Sequence, residues 1–251
     1  LGSGSLTIQN GGVVSNTDGF IGKKLGGSGT VTVDGSDPNG NASTWTNSGN
    51  LTVGDLGTGT LDIQNGGTVS NMEASIGDQS GGNGSVTVDG VASTWTSSGP
   101  LFVGLAGTGS LTIQNGGQVD VALTTTIGSL GTLSINGSGL TTGSFNNYDG
   151  GTFHFNDGTL TLNGGTFDQG TVDLNLDGPS VAELPTLNIT GGANTANIIN
   201  AVVGDNNRGA LNILSGGSVS NSNGIIGNSF GAAGFVTVDG SGSKWTNSGP
   251  L

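Results

Sequence analysis

One histidine, three tryptophans and a scatter of aspartates are the residues with which this chain could do chemistry. His154 stands in Phe153-His154-Phe155, an alternation that turns the imidazole outward if both phenyl rings turn inward. With Asp149, Asp157 and Asp168 it could supply acid and base groups for cleaving an acidic polysaccharide. An anionic substrate also needs cationic contacts, and no Lys or Arg lies between Gly131 and Asn200, so catalysis is not expected. Calcium could be drawn to the turn residues Asp18, Asp37, Asp55, Asp78 or Asp205. The calcium nonapeptide is absent, however, because Gly81-Gly-Asn-Gly84 runs into Ser85-Val86 instead of x-Asp. Neither a metal site nor a cofactor is expected, and with no cysteine a thiolate site is impossible.

The recurring aspartates Asp34 and Asp89 end the phrase Val-Thr-Val-Asp-Gly and align with Gln9, Gln64 and Gln114 of a sister phrase, Leu-x-Ile-Gln. Stacked in space, they form a column Gln9, Asp34, Gln64, Asp89, Gln114. Two carboxylates about 4.8 Å apart repel by roughly 1 kcal/mol even in water, and the interposed amides double that distance. This is a structural ladder, not a metal site. Trp45, Trp95 and Trp245 could make a row on which sugars stack if they faced outward. Each is flanked by polar neighbours in a strand, and parity places the indole inside, as a core or corner aromatic.

The elements that position these residues come from repetition. Ser5-Leu-Thr-Ile-Gln-Asn-Gly-Gly-Val-Val-Ser15 recurs, with small changes, at Thr60–Ser70, Ser110–Asp120 and Ala210–Ser220. Trp45 and Trp95 are 95 − 45 = 50 residues apart, and Trp95 and Trp245 are 245 − 95 = 150 apart, three such periods. Each period holds two similar halves of about 25 residues, each with three apolar stretches too short and glycine-broken for helices. Apolar residues alternate with Thr, Gln or Asp, so one face is apolar, and stacked copies of such a coil bury it. The fold class expected is all-β: a single-stranded parallel β-helix, three short strands per coil and about 20–25 residues per coil. Setting Leu61 beside Val86 aligns Ile63 with Val88, Val69 with Trp95 and Ile76 with Leu101. Eleven coil starts follow, at Leu6, Val31, Leu61, Val86, Leu111, Leu133, Phe153, Val172, Leu187, Leu211 and Val236.

The whole of 1–251 reads as one array, with regular repeats over 1–129, shorter irregular coils over 130–200 and regular repeats again over 201–251. Ser36-Asp-Pro-Asn-Gly-Asn41 lengthens one coil and should bulge as a surface loop. If the chain has a specialised site, that loop or 131–200 should hold it. Because both ends cut a repeat phrase, the sequence reads as a fragment of a longer passenger.

Glycine makes up 53 residues and falls at turn positions, with only 5 prolines. Charged residues are 8% of the chain and the net charge is −13, which argues against nucleic acid and anionic membranes as partners. No apolar run is long enough for a membrane span.

The phrases Gly-x-Gly-x-Leu-Thr-Ile-x-Asn-Gly-Gly-x-Val-Ser, Val-Thr-Val-Asp-Gly, Ser-Thr-Trp-Thr-Asn-Ser-Gly and Leu-x-Val-Gly together closely resemble the repeat associated with autotransporter passengers of type V secretion and PEP-CTERM proteins. The resemblance covers roughly 1–129 and 202–251. It implies a right-handed β-helix on the bacterial surface or outside the cell, attached to the outer membrane only through a β-barrel domain missing from this sequence. The roles it implies are adhesion, biofilm or matrix building, or a stalk, with other surfaces, glycans or identical rods as partners. The alternatives are a polysaccharide-binding or polysaccharide-cleaving β-helix with a site in 131–200, and a self-assembling filament.

Overall fold

The computed structural model describes residues 2–147, 149–170 and 172–251. The phrase expected to be cut at Leu1-Gly2 thus begins outside the described residues. Among those described there is no helix, and the strands pair in parallel, one coil on the next, as a β-solenoid with about three strands per coil. Short apolar-alternating phrases set this outcome: too short for helices, each leaves an apolar face that only the next coil can cover.

Three faces run along the rod. The first carries Ser3–Gln9, Ser28–Asp34, Thr58–Gln64, Asn83–Asp89, Thr108–Gln114, Gly131–Asn136 and Thr152–Phe155 as one seven-stranded sheet. The second begins with Val13–Asn16, Thr44–Asn47, Thr68–Asn71 and Thr94–Ser97, and the third with Gly19–Ile21, Leu51–Val53, Ala74–Ile76 and Leu101–Val103. Gln118–Ile127 and Ser138–Asn146 each span both of these faces, the former with a register shift between Val121 and Thr124.

The stacked columns follow the repeat. Leu6, Val31, Leu61, Val86, Leu111 and Leu133 pair in register, as do Ile8, Val33, Ile63, Val88, Ile113 and Ile135. From Leu61 and Ile63 onward these side chains are buried completely or nearly so. Such burial stabilises by about 25 cal/mol per Å² of apolar surface.

One alignment and the coil count need correction. Val103, not Leu101, lies beside Ile76, while Leu101 lies beside Ala74, because the earlier third-face strand begins at Ala74, two residues before the Ile76 on which the apolar pattern was aligned. The coils number ten among the described residues, not eleven. Val172 starts none: it lies outside any strand and is 50% exposed, and its coil enters the first face at Leu174–Leu176.

Leu187 and Leu211 are also displaced. They pair with Leu160 and Val236 on the second face, continuing the column Val69, Trp95, Val119, Leu140. Leu111 and Leu211 are 211 − 111 = 100 residues apart, four half-periods by count. The short coils of the middle nevertheless wind four coils and one extra face into that length. Past the middle the whole repeat is rotated by one face. Leu-x-Val-Gly, on the third face at Leu51–Val53, reappears in the form Ala201-Val-Val-Gly204 on the first.

The loop at 36–41 is a compact projection. Asp37 accepts hydrogen bonds from the backbone N–H groups of Asn39 (2.9 Å) and Asn41 (2.8 Å) and from both their side-chain amides, while Ser36 and Ala42 pair antiparallel. These donors hold the Asp37 carboxyl below the usual carboxylate range, the Asn41 amide contributing most.

Candidate functional surface and the cleft that interrupts it

Because side chains alternate, the outward residues of the first face form columns as regular as the core. One column is hydroxyl throughout: Ser5, Thr30, Thr60, Ser85, Ser110, Thr132 and Thr152, in register over seven strands. Beside it run Thr7, Thr32, Asp62, Thr87, Thr112, Ser134 and His154. Among the described residues none of the first column's hydroxyls is spent on an internal side-chain hydrogen bond. The result is a regular lattice of mostly uncharged donors and acceptors, free throughout its first column.

The third column is the Gln9, Asp34, Gln64, Asp89, Gln114 ladder, in register as written. Only one neighbouring amide binds its aspartate: Gln114 Nε2 donates to Asp89 Oδ2 at 3.2 Å. The shorter bonds come from the residue after each glutamine. Asn65 Nδ2 donates to Asp34 Oδ1 and Asn115 Nδ2 to Asp89 Oδ1, both at 2.7 Å. Both asparagines sit in the left-handed region at φ 54°, which Asn tolerates better than other residues with a side chain. Asn-Gly-Gly was readable as a turn, and the cross-coil cap is the part that sequence reasoning missed.

Asp62 is the one carboxylate in the hydroxyl lattice. Partial burial pushes its pKa up, opposed by a hydrogen bond from Thr87. A raised carboxyl pKa means that folding disfavours the ionised form, a cost present above the folded pKa and relieved as pH falls through it. Asp62→Thr, which matches the neighbouring Thr32 and Thr87, should therefore raise the urea midpoint at neutral pH. The gain should vanish below the carboxylate range, and an equal gain at both pH values would refute the electrostatic origin.

The tryptophans lie inside, Trp45 and Trp95 being buried and Trp245 half-buried. Trp45 and Trp95 belong to the second face and Trp245, through Val219, to the third, so the three form no common row. Each indole N–H donates to an asparagine one coil earlier: Asn16 at 2.6 Å, Asn71 at 2.7 Å and Asn221 at 2.6 Å. The signal was present, since every Trp phrase follows a Val-Ser-Asn phrase in the preceding coil.

His154 is exposed on the first face. The carboxylates grouped with it serve the scaffold elsewhere. Asp157 Oδ1 accepts from Leu184 N at 2.9 Å, and Asp168 accepts from Gly170 N at 2.8 Å and from Asn197 Nδ2. Asp149 is exposed in a turn. Of the turn aspartates, Asp18 accepts from Asn50 N, Asp78 from Gln79, and Asp205 from Asn206 and Asn228, while Asp55 sits in a bend. Among the described residues no three His, Asp or Glu side chains come together so as to hold a metal ion.

The 131–200 stretch departs from the pattern most sharply where the first-face wall breaks. Thr152–Phe155 and Leu174–Leu176 occupy successive coils yet are not hydrogen-bonded to each other, and the later first-face strands form a separate three-stranded sheet. Phenylalanines crowd the place: Phe145 packs on Phe153 at 4.8 Å and on Phe167 at 5.2 Å between ring centroids. Phe153 and Phe155 stand where Leu133 and Ile135 stand one coil earlier, and a cleft of about 200 Å³ lies at the break. A shallower polar groove lies at the adjoining corner, where Asp157 and Glu183 face Asn136 and Asn156 beneath the 178–184 excursion.

No known family's sequence model, no curated protein and no solved structure matches this chain.

Proposed function

We propose that the chain is a structural and adhesive rod of the bacterial surface or extracellular space, acting through its first-face lattice and not through catalysis. The observation that carries this reading is the run of seven in-register hydroxyls, none engaged internally, flanked by Thr and amide columns. A rigid array of unspent donors and acceptors meets an extended polar surface at many weak points at once, and multivalency turns weak contacts into firm attachment. Partner surfaces are neutral and hydroxyl-rich, glycans above all, because a chain of net charge −13 repels polyanions. Of the carboxylates grouped with His154, Asp157 and Asp168 accept hydrogen bonds that hold the scaffold, which fits a structural role better than an acid–base pair.

The test is adsorption to glycan-coated surfaces by the chain and by a Thr60→Ala, Ser85→Ala, Ser110→Ala variant. Removing three adjacent hydroxyls leaves the core untouched and should weaken adsorption about tenfold, with unchanged circular dichroism. Undiminished adsorption by the triple variant would remove the lattice from the account.

A further inference from the structure

The cleft in the first-face wall is a local feature. In the same two coils the second face stays bonded through Leu160 and Leu187, and the third through Phe167 and Thr195. One wall has parted while two have not, and the opening is lined in two chemically distinct zones. Its floor is apolar, made by Phe153, Phe155, Phe167 and Leu174, and its mouth is polar, made by Gln169, Asp173 and Asn175.

We propose that this cleft binds a single neutral pyranose ring, the terminal unit or branch of a surface glycan. The floor supplies what the C–H face of a sugar needs. Phe153 and Phe155 are only partly buried and stack on each other, 5.7 Å between centroids and 25° between planes, and Phe153 is backed by the buried Phe145. The mouth supplies partners for hydroxyls: the amides of Gln169 and Asn175, and Asp173. Asp173 Oδ1 is taken by Asn200 N at 3.1 Å and Asn200 Nδ2 at 2.9 Å, so Oδ2 is left to accept.

Size and charge narrow the class further. About 200 Å³ lies below the roughly 300–1,000 Å³ of a drug-sized site and suits one ring, not an extended chain. The one charge at the mouth is an aspartate, and no Lys or Arg lies between Gly131 and Asn200, so uronic acids and phosphates are disfavoured. A wholly apolar occupant would cover the mouth amides without pairing them, and a wholly polar one would find no partner on the floor.

This inference deepens the adhesive reading, on which it rests, by naming one thing the rod holds. Saturation-transfer NMR on the 251-residue chain tests it, with methyl glucoside, methyl mannoside, methyl galactoside and N-acetylglucosamine as probes, and glucuronate and hexanoate as comparators. At least one neutral pyranoside should receive saturation, most strongly at its ring C–H protons. Gln169→Ala and Asn175→Ala, both at the rim, should each weaken binding about fivefold, the equivalent of one neutral hydrogen bond, without moving the unfolding midpoint. Phe153→Leu, which repeats the residue found at Leu133 one coil earlier, should abolish it.

Absence of binding by every neutral probe, retention of binding in both rim variants, or a preference for hexanoate would each overturn the proposal. The Thr60, Ser85, Ser110 triple variant separates the two readings. If it loses adsorption while no pyranoside binds the parent chain, the cleft proposal falls alone. If it adsorbs normally while pyranosides bind at the cleft, the lattice falls alone.

Discussion

Gly84→Ala is expected to destabilise the rod by about 4 kcal/mol, although it adds a single methyl group. Gly84 belongs to a column that runs Gly4, Gly29, Gly59, Gly84, Gly109 and Gly131, each two residues before Leu-x-Ile or Val-Thr-Val and all but Gly131 the second glycine of a Gly-x-Gly phrase. Its φ lies outside the left-handed region, so backbone strain is not the reason. Space is the reason. A Cβ there would strike the Val53 carbonyl oxygen of the preceding coil, and would stand 2.7 Å from Gly77 N and 2.8 Å from Ile76 Cγ2. Val53 O and Gly77 N are themselves hydrogen-bonded at 2.9 Å, joining two coils at the corner between the third and first faces. Backbone cannot rotate away as a side chain can, so the methyl must part the coils and stretch that bond.

Gly4, at the same place in the first coil, meets nothing within 4 Å, and Gly4→Ala should be silent. Urea unfolding followed by circular dichroism would decide it, and equal midpoints for the two variants would show that the corner is not closed by contact. Gly209 and Gly234 extend the rule to the rotated half. They pair with each other on the second face, and a Cβ at either would strike a backbone carbonyl, Leu176 O or Val203 O. The close corner therefore travels with the phrase and not with the face.

The period, the alternation and the identical phrases were enough to read the solenoid and the columns Leu61, Val86, Leu111 and Ile63, Val88, Ile113. A side-chain period of 2 leaves only one parity that buries Leu and Ile, and near-identical phrases leave only one register. Rotation by one face was not legible, because total length hides it. Val119 to Leu140 is 140 − 119 = 21 residues and Leu140 to Leu160 is 160 − 140 = 20, both short of the half-period, Leu160 to Leu187 is 187 − 160 = 27, and the residues that these short coils leave over make the extra face. Counting residues between Trp95 and Trp245 gives three whole periods, while counting faces does not.

The candidate surface was partly legible for the same reason. Outward columns follow from parity, whereas the cleft lies where Thr152–Phe155 and Leu174–Leu176 do not pair, which no periodicity announces. His154 shows the limit of reading neighbours along the chain, since Asp157 and Asp168 accept from Leu184 and Asn197, each a coil away.

Removing Trp95 should cost as much as any substitution in the rod, and the way it couples to Asn71 tests how the second face is held. Trp95 is 1% exposed, and its loss to alanine empties the largest fully buried side chain, worth about 3–5 kcal/mol. Its N–H donates to Asn71 Oδ1 at 2.7 Å, Asn71 Nδ2 donates to Ser97 Oγ at 3.0 Å, and Ser97 Oγ donates to Met72 O at 2.9 Å. Asn71→Leu therefore leaves a buried indole N–H without an acceptor, a cost of about 2–3 kcal/mol. Trp95→Phe leaves the Asn71 oxygen without a donor at a similar cost. The double variant removes both ends of the bond at once, so it should be less destabilised than the sum of the singles by about 1–2 kcal/mol. A cycle of urea midpoints over the four proteins measures that difference. Strict additivity would mean that the tryptophan holds the coil through its volume alone and that the recurring asparagine is incidental. The same pair at Asn221 and Trp245, where the indole is only half-buried, should couple less, since water can satisfy whichever group is orphaned.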